Sequence, residues 1–210
     1  LQRVLQLLLH ALLFVCGGAE SITPGTCACA HALEHGGWCD VHGIGYVGSV
    51  EVRSQLLFEA LDAHGHDVDP STFDCPSCRK AIETSGFCPT HRVGFVGGQA
   101  YFSRLTYDLA RGKRLTPSEV TCPVCRKHML GRGWCPSCGV GMVGSVALRD
   151  RQAFDEVDHA LKLVEAANRV ASRCENCAVA MVFDGTCPIC GIRYQDGKEV
   201  GRVTPPRKVD

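Results

Sequence analysis

Along the chain, short stretches with apolar residues two apart give way to longer stretches with a three-four rhythm, and the exchange recurs. Ile44 and Tyr46, Val93 and Phe95, Val140 and Met142, and Ile192 and Tyr194 each show the two-residue step. That period predicts a strand with one buried face. After the first three of these steps comes a helical segment. "SVEVRSQLLFEALDAH" places Val52, Leu56, Ala60 and His64 on one face, with Leu57 and Leu61 beside it. "GQAYFSRLTYDLARG" groups Tyr101, Leu105 and Leu109 and ends on Gly112, a helix stop. The third segment is longer, and Phe154, Val157, Leu161, Val164 and Ala167 follow a rhythm suited to packing on another helix. The fourth strand step is followed by no such segment and reads as a cap.

The pattern is a repeat. Cys39, Cys88, Cys135 and Cys187 each follow a glycine two positions earlier, at spacings of 49, 47 and 52 residues. A first cysteine pair lies upstream of each: Cys27 and Cys29, Cys75 and Cys78, Cys122 and Cys125, Cys174 and Cys177. A fourth residue closes each frame: His42, His91, Cys138 and Cys190. Repeats two to four share Cys-x2-Cys-x9-Cys-x2-(Cys or His), while the first is one residue short. The predicted divisions are 1–19, 20–70, 71–117, 118–171, 172–200 and a tail at 201–210. Units of about 50 residues hold too little core to stand unaided, so something must staple them.

The histidines decide what does. Repeats one and two carry three cysteines and a histidine, and histidine forms no disulfide. Closed tetrahedral zinc sites accept four thiolates, or three thiolates and an imidazole. Beyond Cys16 there are 14 cysteines, and with His42 and His91 they make 16 ligands, enough for four zinc sites of four. Cys-x2-Cys brings two sulfurs to one side of a tight turn, and nine residues allow a strand, a reversal and a return with the second pair. Trp38, Phe87 and Trp134, beside the third ligand, either shield the sulfurs or fill the core. In the first repeat Cys27-x-Cys29 alternates its side chains. Both reach one metal only if the backbone bends there, and His31 or His35 are alternatives to Cys27.

"CPSCRKAIETSGFCPTH" and "CPVCRKHMLGRGWCPSCG" resemble the short zinc-ribbon modules, which carry two such knuckles about ten residues apart. The resemblance covers some 17 residues of each repeat and leaves out the segments between. It implies zinc ligation by Cys75, Cys78, Cys88 and His91, by Cys122, Cys125, Cys135 and Cys138, and by Cys174, Cys177, Cys187 and Cys190. It implies no single role, since such modules serve as structural, protein-binding or nucleic-acid-binding units. Rubredoxin-like iron sites use similar knuckles but keep four thiolates and a wider separation. The fold expected is a small metal-stapled α+β chain of four zinc-ribbon β-hairpin units, the first three each followed by a helix.

Charge and composition narrow the function. Lys and Arg number 22 and Asp and Glu 22, a net charge of zero, which argues against nucleic acid as partner despite small clusters such as Arg79-Lys80. No phosphate loop, His-Glu-x-x-His helix or nucleophile motif occurs, so no enzyme is expected. A non-enzymatic scaffold binding another protein is the favoured reading, with metal storage or transfer as its rival. Arg3, an apolar run over 4–15 and small residues before Ala19 form a signal-peptide pattern, with a membrane anchor as alternative. An extracytoplasmic location follows from that pattern. "DAHGHDVDP", with Asp62, His64, His66, Asp67 and Asp69, reads as a solvated helix end, against a weaker reading as an exchangeable metal site.

Overall fold

A computed structural model describes Cys29, Ala32, Leu33 and residues 36–204. The segment 1–19, Cys27, His31 and His35 lie outside the described residues. The first unit contributes β1 (Gly37–Cys39), β2 (Ile44–Val47), β3 (Val50–Val52) and α1 (Gln55–Leu61). The second contributes β4 (His66–Asp67), α2 (Pro76–Thr84), β5 (Phe87–Cys88), β6 (Val93–Val96), β7 (Gln99–Tyr101) and α3 (Arg104–Arg111). In the third, β8 (Lys113–Arg114) and α4 (Pro123–His128) lead into β9 (Arg132–Cys135), β10 (Val140–Val143), β11 (Val146–Leu148) and α5 (Arg151–Ala171). The fourth holds α6 (Glu175–Val182), β12 (Ile192–Gln195) and β13 (Lys198–Arg202). Among the described residues the result is a small α+β arrangement built on four antiparallel sheets.

Two expectations need correction. The first arm of each full frame is a helix, not a strand. Cys75 and Cys122 are N-caps with extended backbone, each followed by proline at the first helical position. Proline there has its φ preset and no N–H to lose. Cys78 then lies one helical turn on, so the two sulfurs share a face. The second correction concerns the segments after the alternating steps. Val52 and Tyr101 belong to third strands, β3 and β7, and the helices start only at Gln55 and Arg104. Two-residue turns fold each third strand back; in the second unit Gly97 and Gly98 both take positive φ, as a primed hairpin turn requires. In α1 it is Leu57 and Leu61 that are buried, while Leu56 is exposed.

The second and third sheets each gain a fourth strand from the chain ahead of their first cysteine pair, in the orders β4-β7-β6-β5 and β8-β11-β10-β9. The second sheet thus begins at His66, ahead of the division drawn at 71.

One contact recurs in three units. Gly45, Gly94 and Gly141, mid-strand, pair across the hairpin with Trp38, Phe87 and Trp134. Each glycine is also covered by an aromatic ring thirteen residues later: Phe58, Tyr107 or Phe154. The paired rings lie 5.4, 5.4 and 5.8 Å apart. A side chain at the glycine would collide with the helix, so glycine is what lets helix and sheet close up. The fourth unit breaks the pattern, with Thr186 bridging Arg193 where the others pair an aromatic with glycine.

The units share one core. Helix α5 runs through it, with Val157, Leu161, Val164 and Ala167 buried, as their rhythm predicts. Against them pack Val47, Val52, Leu57 and Leu61 of the first unit, Leu105 of the second and Ala178 of the fourth. Polar clasps fix the helix in place. Asn168 donates its side-chain amide to the Glu51 carbonyl and accepts from the Arg53 N–H at 3.3 Å, holding the edge of β3. From β9, Arg132 reaches Asp158 at 2.6 Å and both carboxylate oxygens of Glu165 at 2.7 and 3.0 Å.

Candidate metal centres

In the second unit, Cys75 and Cys78 stand at the start of α2, and Cys88 and His91 on the knuckle between β5 and β6. The ligand atoms of these four residues lie within 4.8 Å of one another. The same holds for Cys122, Cys125, Cys135 and Cys138, and for Cys174, Cys177, Cys187 and Cys190. In the first unit Cys29, Cys39 and His42 come together. Cys27, the fourth residue expected there, lies outside the described residues.

The spacing between sulfurs tests whether a metal fits. Zinc bonds of about 2.3 Å in a tetrahedron set sulfurs about 3.8 Å apart. A disulfide would bring them to about 2.05 Å. Cys122 and Cys135 are 3.8 Å apart, Cys174 and Cys187 3.8 Å, and Cys174 and Cys190 3.7 Å. The cysteines of units two to four carry no disulfide. Shorter zinc–nitrogen bonds bring an imidazole nitrogen to about 3.5 Å from sulfur. His91 Nδ1 lies 3.3 Å from Cys78 and 3.7 Å from Cys88; His42 Nδ1 lies 3.2 Å from Cys29 and 3.4 Å from Cys39. In both histidines it is Nδ1 that faces the sulfurs. The donor sets therefore fit zinc, and in the first unit three of the expected four donors are in place.

Backbone amides prepare some thiols for ionisation. The N–H of His91 is the largest influence on Cys88, bringing its thiol down to about 6. The N–H of Cys125, at the start of α4, leads in lowering Cys122 to about 7. Burial pushes Cys187 up, but the Cys190 N–H, 3.2 Å from its sulfur, and further donors bring it down to about 7. The second cysteine of each pair goes the other way: burial raises Cys78 to about 12 and also raises Cys125 and Cys177. Those buried sulfurs need a cation to ionise, since desolvation disfavours the charged form.

Burial grades the ligands. Cys39, Cys88, Cys135 and Cys187 are fully enclosed, while His91, Cys138 and Cys190 face solvent. Trp38, Phe87 and Trp134 turn out to be packing residues. Each is next to the third ligand on a strand, so it points to the opposite face and meets a helix. Sequence reasoning missed a role for Tyr194. It packs against the Cys177 cluster, and burial, followed by the neighbouring Cys177 thiol, raises its hydroxyl to about 12. Its position in the alternating strand was visible, but the contact was not. The aromatic thirteen residues after each glycine was a readable signal that local periodicity did not single out.

Asp62, His64 and His66 form a further cluster of possible ligands. No protein-family model matches the chain, and no curated protein or solved structure matches it.

Proposed function

We propose that this is a non-enzymatic zinc-binding repeat protein whose four cysteine-rich frames are structural staples in ribbon-like modules with a helical first arm. The observation that carries this reading is how few buried residues surround the ligands of the second and fourth modules apart from the core the units share. The fourth unit's own buried cluster is Cys177, Ala180 and Cys187, and the second's is Cys78, Ala81, Cys88, Val93, Phe95 and Ala100. Ligands are two of the three residues in the fourth unit's cluster and two of the six in the second's, so the metal joins the helix start to the knuckle where local apolar burial is small. In such modules metal-binding energy is folding energy.

The role we assign is a scaffold for another protein. In its favour, apolar side chains stand exposed at the metal knuckles and nearby turns: Val41, Val124, Ile189 and Leu130. Neutral charge disfavours nucleic acid. Among the described residues no helix is long and apolar enough to cross a membrane. An extracytoplasmic location remains our proposal on the signal-like segment alone.

The test is elemental analysis and native mass spectrometry of the purified protein, followed by chelation under far-UV circular dichroism. Four zincs, and loss of helix and strand signal as they leave, are expected. An unchanged spectrum after metal removal refutes the structural role. The exposed fourth ligands, His91, Cys138 and Cys190, favour a second reading, metal transfer, because an incoming ligand can reach them. That reading requires zinc to pass to an acceptor faster than the protein unfolds.

A further inference from the structure

Helix α1 ends on Asp62, whose backbone takes a left-handed conformation (φ 48) and whose N–H reaches the Glu59 carbonyl at 3.1 Å. The chain then turns through Gly65, which lies against the Gln99 side chain: a Cβ there would be 2.4 Å from its Oε1. His66 opens β4 and pairs with Ala100 of β7, so it sits on the second unit's sheet. Its ring lies 5.1 Å from that of Phe102. This path brings His66 back onto the end of the first unit's helix. Nε2 of His66 is 2.9 Å from each carboxylate oxygen of Asp62. His64 approaches the same carboxylate, with Nδ1 3.4 Å from Oδ1, and the two imidazole rings are 4.4 Å apart. One donor atom from each residue lies within 4.8 Å of the others.

We propose that Asp62, His64 and His66 form an additional metal site of a different class: free of thiolate, three-donor, and suited to a borderline divalent cation such as zinc. Imidazole and carboxylate donors select first-row divalent ions of that kind. Three protein donors leave coordination positions open, as in zinc sites that exchange water or bind a small ligand, and unlike the closed four-donor frames. A simple His66–Asp62 hydrogen bond accounts for one imidazole; the second imidazole turned to the same carboxylate is what a shared cation explains. His64 is 73% exposed, so it can release and rejoin, which makes the site exchangeable. A cation held there ties the last turn of α1 to β4, joining the first unit to the second. The proposal stands whether the thiolate frames serve as staples or as carriers.

The experiment compares the zinc-loaded full chain with His64→Ala and His66→Gln, also zinc-loaded, by equilibrium dialysis against rising free zinc. His159→Ala is the control, since that imidazole pairs with Asp196 at 2.8 Å, away from Asp62. The wild type and the control are expected to take up one further zinc per chain, reversibly. Both test variants should bind it roughly 100-fold or more weakly, since even partners outside the coordination sphere are worth about 10–100-fold. Far-UV spectra and the tightly held zinc should stay the same in all four proteins. Equal uptake by the wild type and His64→Ala, or no further zinc in the wild type, overturns the proposal.

Discussion

Substituting alanine for Gly141 tests the contact that joins sheet to helix in the repeat. A Cβ at that position would lie 2.1 Å from Phe154 Cδ2, 2.4 Å from Cγ and 2.9 Å from Cβ. Carbon atoms rest at about 3.5–4.0 Å, so the ring must retreat by about 1.5 Å. It has little room. Phe154 is 5% exposed and packs against Trp134, with the Arg151 guanidinium 4.9 Å over that indole. It also lies in the first turn of α5, its N–H bonded to the Asp150 carbonyl at 3.0 Å, so displacing it displaces the helix start. Overpacking of this kind costs about 1–3 kcal/mol. Removing glycine's backbone freedom returns about 0.5–1 kcal/mol. A net loss of about 1–2 kcal/mol should lower Tm by about 2–8 °C in a chain of this size.

The assay is thermal unfolding of the metal-loaded protein at fixed free zinc, because bound ligand shifts the transition. Gly201→Ala in β13 is the reference: no atom lies within 4 Å of its Cβ position, so only the backbone gain applies. Gly94→Ala, facing Tyr107 Cδ2 at 2.0 Å, should resemble Gly141→Ala. Gly45→Ala should cost less, because Phe58 is only half-buried and can move. If Gly141→Ala proves no less stable than Gly201→Ala, the close approach is not what holds sheet and helix together.

Three further outcomes follow from the geometry. His91→Cys should keep the second frame closed and tighten it, since Cys138 and Cys190 occupy the same slot in the other units; competition with a zinc chelator should show slower metal loss, and faster loss would contradict it. Tyr194→Phe removes the hydroxyl that helps to lower the Cys177 thiol and should weaken zinc retention in the fourth frame by about 10-fold, read by native mass spectrometry after partial chelation, with the other frames unaffected. Arg132→Met should cost about 1–2 kcal/mol at neutral pH in denaturant unfolding, because it strips a bidentate partner from Glu165 while Asp158 keeps Lys162 at 2.6 Å. The Arg132 contact depresses the Glu165 carboxyl in the folded state, so this stabilisation is present above the ordinary carboxylate range and fades as pH falls through the depressed value; the gap between variant and wild type should narrow in acid.

The metal frames were legible because each full frame is local. Cys75 to His91 spans 17 residues, and the spacing alone states which side chains can meet. The Cys-for-His exchange in one slot argued against a disulfide framework, and the sulfur separations of 3.7–3.8 Å agree. The first arm of the frame was less legible: nine residues suit a strand or a helix, and proline after Cys75 and Cys122 was the deciding signal. The amphipathic face of α5 was readable for the same local reason, since a helix repeats its burial every three to four residues.

What lies between the frames was decided by the tertiary structure. Asn168 holds a strand 117 residues earlier in the chain, and Arg132 joins a hairpin to a helix begun after two more strands. No local rhythm encodes such pairs, because they depend on how α5 lies across the sheets of separate units. The Asp62, His64 and His66 cluster stands between the two cases. Its residues are neighbours in sequence, yet a turn with that composition is ordinarily solvated. Only the pairing of β4 with β7, which anchors His66 on the second unit's sheet, brings its imidazole onto the Asp62 carboxylate that His64 also approaches. The sequence by itself determined four cysteine frames and the metal chemistry that suits them; the packing of one unit on the next determined where a further donor set could converge.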